Sequence, residues 1–133
     1  MSEENVEVVR RGFDAWNRDD FEAFLAELHP DIEWHTALEG VAEGMVARGH
    51  VGMRQVWENQ RAVFGRMETR IDELRDLGDS VLVLCHLKYT GRGSGAEIES
   101  ELGMIVVIRD GLALTSHDYL SHAEALEAAG LEE

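Results

Sequence analysis

The sequence has one proline and one cysteine in 133 residues, and both scarcities exclude something. A lone thiol forms no intramolecular disulfide, and Cys85 lies inside an apolar run, so it reads as a buried core residue in a reducing compartment. No apolar stretch approaches the roughly 18 to 20 residues that a membrane-spanning helix needs. Basic residues are also few: 12 Lys and Arg stand against 27 Asp and Glu, a formal net charge of −15. Such a field repels phosphate backbones and anionic lipid, which excludes nucleic acid and membrane as partners and makes solubility the plain reading of the charge. The opening Met1-Ser2-Glu3-Glu4-Asn5 is acidic where a secretion signal is basic and then apolar, so a cytoplasmic location is expected. Internal repeats and low-complexity segments are absent.

What is present is an ordinary hydrophobic share of 44% at a common domain length, which predicts one domain over residues 1–133 with one core. Val6, Val9, Phe13 and Trp16 recur at helical spacing behind Ser2, and Glu3 and Glu4 sit where the helix dipole favours negative charge. A second helix follows, with Asp19 and Glu22 at capping-box spacing and a stripe of Phe21, Phe24, Leu25 and Leu28 that Pro30 ends. From Asp31 the period becomes two, with Ile32, Trp34 and Thr36 on one face of a short strand. Residues 37–48, with Gly40 and Gly44, read as a loop able to serve as lid or pocket rim. A third helix carries Met53, Val56, Trp57, Val63 and Phe64 on one side. Four strands in an antiparallel meander are predicted next, the first with a bulge before Leu74, and a short last helix starts behind Ser121 and stops at Gly130.

This order, together with phrases such as Val8-Val9-Arg10-Arg11-Gly12-Phe13-Asp14-Ala15-Trp16-Asn17, His29-Pro30-Asp31-Ile32-Glu33-Trp34-His35 and Arg109-Asp110-Gly111, resembles the SnoaL-like branch of the nuclear transport factor 2-like superfamily. The resemblance implies an α+β fold: a cone-shaped, strongly curved, mainly antiparallel sheet wrapped by three helices, with a short C-terminal helix and an apolar cavity inside. It also implies frequent pairing as homodimers. In the similar ketosteroid isomerases a carboxylate removes a proton while a phenol and a neutral carboxylic acid hold the oxyanion. Aligned without gaps, the phenol falls on Gly12, the base on Thr36, and the acid on Gly103 or Ile105. No role is filled in place, so steroid isomerisation is not expected.

The same alignment turns Trp34 and Thr36 to the cavity, and with them Glu99, Glu101, Ile105 and Val107 of the fourth strand. Glu101 becomes the first catalytic candidate, because a carboxylate in an apolar cavity has a raised pKa and can exchange protons near neutral pH. The competing reading places it on the solvated side of the hairpin. His35 and His117 are the further catalytic candidates, with His117 and Tyr119 sharing a strand face that serves either a ligand or an interface. Trp16, Trp34 and Trp57 offer flat surfaces for a ligand or simply fill the core, and Met53 joins them as a lining residue. No metal is expected, since the six histidines form no His-x-x-x-His pair and are scattered along the chain. No Gly-x-Ser-x-Gly elbow points to a serine hydrolase.

The sequence therefore predicts a pocket for a small apolar organic molecule, with cofactor-free acid/base chemistry of the isomerase, cyclase or dehydratase kind as its catalytic form. The alternative is a non-catalytic ligand-binding or dimerisation module. A homodimer is expected because Leu82 and Leu84 lie opposite Val81, Val83 and Cys85, and one of those faces needs a partner.

Overall fold

The computed structural model describes residues 2–36, 46–91, 93 and 95–131. Helix α1 spans Ser2–Asn17, with Glu3 and Glu4 in its first turn, and buries Val8, Val9, Ala15 and Trp16. Helix α2 is a short Phe21–Leu25, capped by Asp20, whose side chain accepts from Ala23 N at 3.1 Å. The capping residue is thus Asp20 rather than the expected Asp19. Asp19 instead turns the chain at φ 60° and its carboxylate takes Arg61 at 2.6 Å.

Strand β1 runs Leu28–His35 and β2 Val46–Arg48; helix α3, Gly49–Val63, leads directly into β3, Phe64–Asp76. Strands β4, Ser80–Gly91, β5, Glu97–Arg109, and β6, Leu112–Tyr119, complete the sheet, and helix α4, His122–Ala128, follows. All six strands form one sheet in the order β2-β1-β6-β5-β4-β3. Every neighbouring pair is antiparallel except β1 with β6, which is parallel. Leu28, expected on the second helix, already belongs to β1, and Pro30 lies inside that strand. The ladder between β1 and β6 is irregular from Leu28 to Glu33, so Pro30 falls where the regular pairing is interrupted. Of the expected loop 37–48, residues 46–48 instead pair with Glu33–His35, while 37–45, with Gly40 and Gly44, lie outside the described residues.

The anticipated bulge in β3 lies between Ile71 and Glu73. It leaves Asp72 out of the ladder and bends the strand, as an extra residue on one strand does. Both faces of β4 are buried. Val81, Val83 and Cys85 join the main core under α1–α3, while Leu82 and Leu84 pack beneath Ala125 and Leu126 of α4. Leu82 and Leu84, the side chains that suggested a second copy, are therefore covered by the chain's own last helix. That helix approaches closely: a Cβ at Gly103 would lie 2.3 Å from Ala125 Cβ, so only glycine fits there. Ser121 caps α4 by accepting from Glu124 N at 3.1 Å. Among the described residues no helix is long and apolar enough to cross a membrane.

Candidate functional site

The inner face of the sheet and the three helices enclose a cavity of about 670 Å³. This volume suits a small organic ligand. Its walls are chiefly apolar: Val9, Phe13 and Trp16 from α1, Met53 and Val56 from α3, Met67 and Leu87 from β3 and β4, and Leu102, Met104 and Val106 from β5. Gly12 sits on the cavity side of α1, and nothing lies within 4 Å of where its Cβ would be. The missing side chain enlarges the space.

Polar groups converge on one wall. Trp34 of β1 is the register partner of Ser116 of β6, so their side chains are neighbours on the inner face. Asp118 lies two residues beyond Ser116, on the same face by the strand's alternation, opposite Met104 of β5. The indole N–H and the hydroxyl lie close enough to favour the Asp118 carboxylate's charge. Neither reaches hydrogen-bond geometry, however. Trp34 Nε1, Ser116 Oγ and Asp118 Oδ1 are all buried without a partner among the described residues.

A buried polar atom without a partner costs roughly 1–3 kcal/mol, and three of them gather on this one wall. Burial pushes the Asp118 carboxyl up to about 7 from its ordinary 3.8, against the smaller opposing pull of Trp34 and Ser116. Asp118 borders the cavity, and its side chain keeps intermediate exposure. A carboxyl poised near neutrality can both take and give a proton at physiological pH. Across the cavity α3 contributes Asn59 and Gln60, and Gln60 Oε1 is also buried without a partner among the described residues.

Several expected residues stand here and others do not. Trp16, Trp34, Thr36 and Met53 line the cavity. Trp16 does so with one side while its other edge meets Trp57 and Phe24 at ring-centroid distances of 4.9 and 5.1 Å. Trp57 is set behind it in that aromatic cluster, under the Arg61 guanidinium at 3.9 Å, and does not line the cavity.

The expected parity of β5 is reversed. Leu102, Met104 and Val106 face inward, so Ile105 and Val107 face outward, and Ile105 packs with Leu82 and Leu84 under α4. Glu101 borders the cavity, but its carboxylate accepts from His122 N at 2.8 Å at the start of α4 and is half exposed. An apolar cavity does not surround it. Tyr119 also packs on the outer cluster. His35 and His117 are register partners whose rings stack outside the cavity at 4.1 Å. Burial and the neighbouring His35 lower the His117 pKa, against a smaller pull from Glu33. Asp118 and Ser116 were not anticipated. The signal was available in the pleat, since a face shared by His117 and Tyr119 puts Ser116 and Asp118 on the other.

A family model described as a SnoaL-like domain matches residues 9–116. No curated protein matches the chain. Among solved structures, an NTF2-like protein of unknown function from Burkholderia pseudomallei is 25% identical, with TM-score 0.80, covering 96% of this chain and 97% of that one. TerC, co-crystallised with polyporic acid, is 24% identical with TM-score 0.79 over 96% and 98% of the two chains. An LEH-like epoxide hydrolase from M. tuberculosis is 16% identical with TM-score 0.74 over 96% and 90%. Matched over most of its length by the family model, and sharing the NTF2-like fold of these neighbours, the chain belongs to the SnoaL-like family.

Proposed function

We propose that the cavity binds a small, largely apolar organic molecule bearing a polar group, and that Asp118 transfers a proton to or from it without a cofactor. The observation that carries this reading is the trio of buried, unpartnered groups, Trp34 Nε1, Ser116 Oγ and Asp118 Oδ1, on the wall of an otherwise apolar cavity. A ligand carbonyl or hydroxyl placed against them supplies the missing hydrogen bonds. The carboxylate form of Asp118 removes a proton from carbon next to a carbonyl. The resulting acid returns the proton to another atom of the substrate, which completes an isomerisation, a cyclisation or, with loss of hydroxide as water, a dehydration. As charge forms on Asp118, Trp34 and Ser116 can close onto it as donors and hold its direction.

The names of two fold neighbours agree with a pocket of this kind: one was co-crystallised with an organic acid, and the other is an epoxide hydrolase-like protein. The test is hydrogen–deuterium exchange at carbon in a panel of small cyclic ketones and phenolic acids that bind the protein. Asp118→Asn should keep binding within a few-fold and lose exchange by at least about a hundredfold, the contribution expected of a general base. Full exchange in Asp118→Asn would overturn the assignment. Binding of the panel with no exchange in the unaltered chain would replace catalysis with ligand storage or transport.

A further inference from the structure

On the opposite side of the sheet, four side chains with metal-binding chemistry meet although they are widely separated in sequence. His86 of β4 and Glu101 of β5 are direct register partners. Asp72 is the residue that the β3 bulge leaves out of the ladder, and its Oδ2 meets His86 Nδ1. His122, the first residue of α4, brings Nε2 to within 3.8 Å of the same Asp72 oxygen and Nδ1 to within 3.9 Å of Glu101 Oε1. One ligand atom from each of Asp72, His86 and His122 lies within 4.8 Å of the other two.

We propose that Asp72, His86 and His122, with Glu101 beside them, form a site for one borderline divalent cation such as zinc(II), which clamps α4 to the outer face of the sheet. Two imidazoles with carboxylates suit such ions and are poor for calcium or magnesium, which prefer oxygen alone.

The surroundings already hold the ligands in orientation. His122 Nε2 lies 2.8 Å from the Cys85 carbonyl oxygen, which only accepts, so Nε2 carries the proton and Nδ1 keeps its lone pair. Metal-binding histidines are commonly held by such a bond from the second nitrogen. Asp72 is held in the same manner: Arg70 Nε donates to Oδ1 at 3.2 Å and leaves Oδ2 to the imidazoles. Ligands of a tetrahedral ion at roughly 2.0–2.1 Å lie about 3.4 Å apart, so closure turns His122 Nδ1, which now lies 3.9 Å from Glu101 Oε1, and the other partly exposed side chains toward one point.

The bound ion adds a link between α4 and three strands at the one end of α4 where its apolar contacts, Ala125 and Leu126, do not reach. Adventitious cations on a surface of net charge −15 are a separate matter, because they bind weakly, at many places and without imidazole ligands.

The experiment uses the full chain without a histidine tag, stripped with chelator and titrated with zinc(II) by calorimetry and with cobalt(II) by visible absorption. One equivalent should bind, a cobalt(II) ligand-field band should appear, and the thermal midpoint should rise with zinc(II). His86→Ala and Asp72→Asn should each weaken binding at least about tenfold, while His117→Ala, at the other histidine pair, should leave it unchanged. Circular dichroism of His86→Ala should show the fold kept, since His122 and the Ser121 cap of α4 remain. Absence of a saturable cobalt(II) band, or undiminished binding in both His86→Ala and Asp72→Asn, would overturn the site. Loss of binding in His117→Ala alone would move it to the stacked pair.

Discussion

Asp118→Asn should make the protein more stable at pH 8 and leave its stability nearly unchanged at pH 4. The carboxyl ionises at about 3.8 in an unfolded chain and at about 7 in the folded one. Between those values the unfolded state has released its proton and the folded state has not, so each pH step upward favours unfolding by about 1.36 kcal/mol. The penalty starts near pH 4, grows up to about pH 7 and is constant above it, reaching about 4 kcal/mol. That figure is a ceiling, because the side chain borders the cavity and keeps intermediate exposure, which lowers the cost of its charge.

Asparagine keeps the shape and an acceptor for Trp34 and Ser116 but never ionises, so the difference between the two proteins isolates this group. Asp72 acts in the opposite sense. Burial pushes its pKa up, but the His86 and Arg70 contacts outweigh that and hold it below 3.8, so its stabilisation is lost only in more acidic solution. It is common to both proteins and cancels. Urea unfolding followed by far-ultraviolet circular dichroism at intervals from pH 4 to 8 gives the two curves. Parallel curves across that range would show that Asp118 is not buried as described, and the proton-transfer proposal would lose its base.

Further outcomes follow from other contacts. Gly103→Ala should cost about 1–3 kcal/mol in urea unfolding, because the new Cβ would lie 2.3 Å from Ala125 Cβ and α4 must lift. Cys85 should resist alkylation at pH 8 in the native protein and react once unfolded. Burial, with smaller contributions from Asp118 and Asp72, pushes its thiol up to about 12. Asn17→Ala should destabilise by about 1–3 kcal/mol, since the amide accepts from Thr69 N at 2.9 Å and donates to Thr69 O at 2.8 Å, tying α1 to β3.

The fold was largely legible from periodicity. The β3 bulge announced itself where alternation shifted ahead of Leu74, and the antiparallel meander expected after the third helix is there as β3 to β6. The inward face of β5 was not legible. From Leu102 to Ile108 the strand is apolar apart from Gly103, because α4 covers one side and the cavity core the other. With both faces apolar, the period-two signal vanishes, and a gap-free alignment chose the wrong parity for Glu101, Ile105 and Val107. Asp118 escaped notice for another reason: Ser116-His117-Asp118-Tyr119 is polar throughout, and only the identity of the covered face singles out the carboxylate. The Asp72, His86, Glu101 and His122 cluster is invisible to spacing rules, since it is assembled by strand register and by the docking of α4.

The parallel pairing of β1 with β6 governs when the cavity's chemistry comes into being during folding. The β3–β4–β5 meander can close through nearby turns, but Trp34 meets Ser116 only after nearly the whole chain is present. Joining segments so distant in sequence is slow, because most of the loop entropy is lost before the contact returns anything. Strand β6, with Asp118, joins β5 through the tight turn between Arg109 and Leu112, so the strand that docks late is β1, which brings Trp34. A chain in which β1 has not docked can hold much of the sheet and yet lack the Trp34 side of the polar wall, so ligand-dependent protection from proteolysis reports complete folding.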